Sequence, residues 1–131
     1  MKSRTKKLNQ PGRRGTVAVE FALVSTIILL LFFGGLEMTC LNLIRHTAGN
    51  ASYEAARKMI VPGGTAADAG QEAMRLLRSV GATQDVTIDA QDDGTKVTVT
   101  ISVPVSKNSW GLLRFSGGMT ISKSCTLSRQ L

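Results

Sequence analysis

From Thr16 to Leu36 the chain is almost wholly apolar, with one charge, Glu20, and none between Phe21 and Leu36. Such a run, wound as a helix at 1.5 Å per residue, reaches about 31 Å, the thickness of a bilayer's hydrocarbon core. It therefore reads as a membrane span over residues 16–36, and everything downstream must be arranged around it. An ionisable group in this setting costs roughly 2.5 to 3.5 kcal/mol on insertion scales. Glu20 is thus expected to have a specific task.

The charge distribution agrees. The chain has 131 residues, 16 Lys and Arg against nine Asp and Glu, and a formal charge of +7. Six of the cations, Lys2, Arg4, Lys6, Lys7, Arg13 and Arg14, precede the apolar run, where there is no acid. Without them ten basic residues face nine acidic ones. The basicity belongs to the N-terminal stretch and not to a nucleic-acid-binding face. A basic tail directly before an apolar segment is held on the cytoplasmic side and can touch anionic headgroups. Residues 1–15 read as a disordered cytoplasmic leader, broken by Pro11 and Gly12. Residues 37–131 read as an extracytoplasmic α+β domain that continues the first helix.

Beyond Glu37 no proline interrupts the helical pattern until Val61-Pro62-Gly63-Gly64, which stops it. The first helix is thus expected over Thr16–Ile60, with a small apolar stripe of Leu36, Cys40, Leu43, Thr47, Ala51 and Ala55, and a weak point at Gly34-Gly35. Ala51 and Ala55 suit close helix packing, either with a neighbouring helix or under the chain's own second helix and sheet. Thr65–Val80 forms the second helix. It opens on a capping-box-like Thr65…Asp68 and buries Ala69, Ala73, Leu76, Leu77 and Val80. The period then changes to two. Val86–Ala90, Val97–Val105 and Met119–Leu127 are three strands, the first two joined at Asp93-Gly94, a hairpin signal. Lys123 breaks the alternation of the third. An apolar patch, Trp110 to Phe115, lies between the last two strands and suits docking on the core. The expected fold is α+β, a three-stranded antiparallel sheet packed on the outer part of the first helix and on the second.

Chemistry-bearing patterns are few. His46 is the only histidine and has no Cys or His at ligand spacing, so no metal is expected. Asp89, Asp92 and Asp93 read as hairpin acids and not as a calcium loop. There is no phosphate-binding loop, no G-x-S-x-G and no nucleophile beside a base, so neither an enzyme nor a cofactor is expected. Cys40 and Cys125 permit a disulfide in an oxidising compartment, or are two small apolar side chains.

The junction carries the strongest signal. Gly15, four residues, then Glu20-Phe21, with a basic leader before and an apolar helix after, resembles the prepilin-peptidase site of type IV pilins, specifically the Flp or tight-adherence branch. Val19–Leu23 (V-E-F-A-L), the F-G-G-L-E ending at Glu37, and E-A-A-R at Glu54–Arg57 together resemble the TadE-like pseudopilin family. Thr26 stands where that family commonly has proline. The resemblance implies a minor pseudopilin in a bacterial inner membrane, with its N-terminus cytoplasmic. A prepilin peptidase would cut between Gly15 and Thr16, with Arg13 and Arg14 holding the site at the membrane face. Glu20 and Phe21 would serve processing and assembly. The implied partners are that peptidase, other pilins and pseudopilins, an inner-membrane assembly platform and membrane lipid. The new amine on Thr16 would pair with a Glu20 carboxylate and set axial register.

Other readings use the same residues. An uncleaved single-pass envelope protein with a periplasmic binding domain requires the span but not the cut. Arg13-Arg14 as a twin-arginine signal lacks the apolar-aromatic pair that should follow. A signal peptide cut near Gly34-Gly35 places Phe32-Phe33 badly.

Overall fold

The computed structural model describes residues 12–108 and 117–129, with side chains from residue 15 onward. The leader ahead of Gly12 and the Trp110–Phe115 patch lie outside the described residues. Helix α1 spans Gly12–Ile60, α2 Ala66–Arg78, and α3 Val105–Asn108; strands β1, β2 and β3 span Thr87–Asp92, Lys96–Pro104 and Thr120–Ser128. The architecture is α+β: a long apolar helix, a second helix, then an antiparallel sheet in the order β1-β2-β3.

At 49 residues, α1 extends about 74 Å. It is helical from Gly12 and not only from Thr16: Arg13 and Arg14 are good helix formers, and the apolar run beyond supplies a template that carries the helix across Gly15. It is unbroken through Gly34-Gly35. It is also unbroken at Thr26, whose Oγ1 donates to the carbonyl of Ala22 at 2.8 Å, a bond a proline could not make.

The buried seam of α1 differs from the expected stripe. Ile44, Ala48, Ala51, Ser52, Ala55, Ala56 and Met59 are buried, whereas Leu36 and Leu43 are about half exposed. The stripe drawn from apolar identity alone is rotated toward Leu36 and Leu43. The seam instead follows where α2, β2 and β3 lie on the helix. Ala51 and Ala55 of α1 and Ala69 and Ala73 of α2 are fully buried in the same core cluster, and side chains this small permit close approach of two helices.

Thr65 caps α2. Its Oγ1 accepts from the Asp68 amide at 3.2 Å, and Asp68 Oδ2 accepts from the Thr65 amide at 3.0 Å, completing the reciprocal box. Asp68 therefore serves where Glu or Gln is usual. Ala69, Ala73 and Leu77 are fully buried, with Leu76 and Val80 partly so.

In β2 the alternation is strict: Val97, Val99, Ile101 and Val103 are fully buried. They pair across the sheet with Leu127, Cys125, Lys123 and Ile121. The other face carries a ladder of hydroxyl pairs, Thr98–Thr126 at 3.0 Å, Thr100–Ser124 at 3.1 Å and Ser102–Ser122 at 3.2 Å. The strand ends at Pro104. Val105, expected as the last residue of the strand, instead opens the short α3 and is buried. In the β1–β2 hairpin, Asp93 and Lys96 bond across Gly94-Thr95, so the central pair is one residue later than Asp93-Gly94. Gly94, with φ +80° at the first central position, suits a type II′ turn.

Strand β3 runs alongside α1 in the same direction. Met119 lies with Met38 and Leu41, Lys123 with Arg45 and Gly49, and Arg129 reaches the Met59 carbonyl. Cys125 therefore stands near the level of residue 50, roughly 15 Å along the helix from Cys40. Both thiols are free. That separation exceeds the roughly 7 Å between Cα atoms that a disulfide spans. Burial pushes the Cys125 thiol pKa up.

Candidate functional site: the membrane helix and its N-terminal junction

Gly15, Thr16, Glu20 and Phe21 are all on helical backbone and all exposed. Thr16 and Glu20 are four residues apart, hence one above the other on a single face. Phe21 is 73% exposed, and the apolar residues from Val17 through Phe32 that follow on α1 are likewise uncovered. The chain's own domain contributes nothing to burying them. A helix of this length and apolarity, with its apolar window uncovered, is suited to crossing a membrane. No acid or base of the described residues forms an ion pair with Glu20. A Cβ on Gly15 would meet nothing within 4 Å, so this chain's own packing does not require glycine there. The backbone of Arg13 and Arg14 is helical, and their side chains lie outside the description.

Ala51 and Ala55, by contrast, are at 0% exposure inside the domain core. Of the two expectations for them, cover by the chain's own second helix and sheet is the arrangement found. Glu37, from the F-G-G-L-E stretch, is 3% exposed where the domain meets the membrane helix. Sequence reasoning recognised Glu37 as part of a motif but not as a buried group, because burial there depends on segments distant in sequence.

Two polar anchors were missed. Asn108 is 4% exposed; its Oδ1 accepts from the Gln84 amide at 2.8 Å, and its Nδ2 donates to the carbonyls of Gln84 and Pro104 at 2.7 and 2.9 Å. Arg129 donates from Nη2 to Asp92 Oδ2 at 2.8 Å and lies 3.4 Å from the Met59 carbonyl. No local pattern marks either, since each joins segments more than 20 residues apart. Among the described residues there is no cluster of three or more metal-ligating side chains.

Fold and junction together define a protein carried on one long N-terminal helix, apolar and uncovered for its first half and packed under a small α+β domain for its second. The family model described as TadE, TadE-like protein, matches residues 15–57. That is the junction and the whole of the seam up to the last turn of α1, about a third of the chain, and it agrees with the resemblance read from the motifs. The match suggests a Tad pilus-associated protein, and among the described residues one helix is long and apolar enough to cross a membrane. No curated protein matches the chain, and no solved structure does.

Proposed function

We propose that the chain is a minor pseudopilin, a non-catalytic assembly subunit of a tight-adherence pilus or related secretion system, processed between Gly15 and Thr16. The observation that carries the reading is the shared exposed face of Thr16 and Glu20. Cleavage would place an ammonium group one helical turn from a carboxylate that has no cation beside it among the described residues. At the edge of the hydrocarbon, with little water to screen them, such charges favour each other, and a pair made between neighbouring copies fixes their axial offset. The TadE-like match over residues 15–57 supports this assignment.

The cut has a structural requirement. A peptide bond inside a helix is not presented to a protease in extended form, so Gly12–Thr16 must unwind. Gly12 and Gly15 weaken the helix there by roughly 1 kcal/mol each relative to alanine. In this reading the basic leader keeps that end at the cytoplasmic face, and the domain stands on the periplasmic side. A major pilus subunit needs little beyond the helix, so the folded domain favours a minor role.

The test is the mass of the mature protein after co-expression with a matching prepilin peptidase. Loss of residues 1–15 is expected. An intact N-terminus would favour an uncleaved envelope protein with a binding domain.

A further inference from the structure

We propose that the foot of the domain, where β3 begins beside α1, binds the phosphate of anionic phospholipids in the bilayer that α1 crosses. The inference rests on the membrane-spanning reading of α1 and is independent of cleavage at Gly15. After Glu20, the next charge exposed on α1 is Arg45, because Glu37 is buried. The surface from Phe21 to Ile44 is thus free of exposed charge over about 36 Å. A hydrocarbon core of about 30 Å fits inside this surface, several residues further along than the expected 16–36, with Glu20 at its cytoplasmic edge and Arg45 in the headgroup layer, roughly 5 to 7 Å thick.

The domain is built to match this level. Met119, 57% exposed at the start of β3, sits with Met38 and Leu41 at the base of a groove that begins on the apolar part of α1. Immediately above this apolar floor, Arg45 and Lys123 line the same groove with Asn42. Lys123 occupies an inward position of β3, opposite the fully buried Ile101, where the alternation calls for an apolar side chain. It is half-buried there and lines the groove, an arrangement that suits a long side chain with an apolar stem and a charged tip. Neither Arg45 nor Lys123 has a carboxylate within 4 Å among the described residues. Two unpaired cations over an apolar floor complement a lipid with a charged phosphate above acyl chains. A soluble anion would have no use for the floor.

The full chain, reconstituted in nanodiscs of mixed phosphatidylglycerol and phosphatidylcholine, tests this by native mass spectrometry of the retained lipids. Arg45→Gln/Lys123→Gln is expected to lower phosphatidylglycerol retention tenfold or more, from about fivefold per basic residue near a membrane surface. Arg45→Lys/Lys123→Arg is expected to keep it. The six leader cations are common to all three proteins, so the difference reads the groove. Equal retention by wild type and the glutamine variant overturns the proposal. So does displacement of the lipid by tens of millimolar inorganic phosphate, or an effect of the variant on self-association alone. Failure of α1 to insert would remove the membrane reading as well; insertion with unchanged lipid retention removes only this inference.

Discussion

The Arg129 guanidinium joins Asp92, at 2.8 Å, to the carbonyl of Met59, so the free end of β3 ties the β1–β2 hairpin to the last turn of α1. Both side chains are about 30% exposed, which limits what the pair contributes. Arg129→Ala and Asp92→Ala are each expected to lower stability by about 1 kcal/mol or less, with a coupling of about 0.5 kcal/mol in the double mutant. Urea unfolding of the detergent-solubilised chain, followed by circular dichroism, measures it. The coupling should shrink at high salt.

Asn108 should matter more. Its buried amide satisfies both backbone groups of Gln84 and the carbonyl of Pro104. Asn108→Ala leaves these without their partner and is expected to cost about 1 to 3 kcal/mol. Asn108→Asp nearly keeps the shape but turns a carboxylate oxygen toward two carbonyls. It should be the worse of the two in the same unfolding assay.

The turn after α1 separates two glycines. Gly63 has φ +85° with open space around the missing Cβ, so Gly63→Ala meets only backbone strain of about 1 kcal/mol. At Gly64 a Cβ would collide with the Lys58 carbonyl and crowd that of Met59 at 3.0 Å. Gly64→Ala is expected to exceed Gly63→Ala by about 1 kcal/mol or more, since backbone must move to relieve it. Paired melting curves decide this.

The cap of α2 makes a pH prediction. Hydrogen bonds from the Thr65 hydroxyl and amide, with a smaller contribution from Lys58, hold the Asp68 carboxyl below its ordinary value of 3.8. A folded-state value depressed in this way contributes stability in full above the unfolded value and loses it as pH falls through the folded one. Thr65→Ala should move the Asp68 midpoint upward, toward the ordinary value, in an NMR titration. An unmoved midpoint would show that the box is not what lowers it.

At the membrane end, Glu20→Ala is expected to stop assembly of a filament or complex while leaving the outer domain folded, since Glu20 touches nothing in that domain. Assembly can be scored by crosslinking in membranes and folding by protease resistance of the domain. Normal assembly by the alanine variant would remove the reason for a carboxylate in the apolar run.

Much of this molecule follows from local pattern. Period-two alternation placed β2 within one residue, Thr65 and Asp68 marked the start of α2, and the apolar run announced the membrane helix. Each rests on neighbours in sequence, whose physics a short window contains. The G-x4-E-F pattern on which the proposed junction rests is likewise local in sequence. The rotation of the α1 seam was not, because Ala48, Ser52 and Ala56 are small and neutral enough to face either way until α2 and β3 cover them.

The sequence by itself determined that one helix is both anchor and scaffold, because charge and apolarity along α1 change with chain position alone. Only the tertiary structure decided that Glu37 is buried, that Lys123 stands beside Arg45, and that Cys40 and Cys125 are far apart. These depend on β3 running alongside α1 in the same direction, at more than twice the rise per residue. That difference in rise pairs positions of strand and helix at intervals no sequence period reveals.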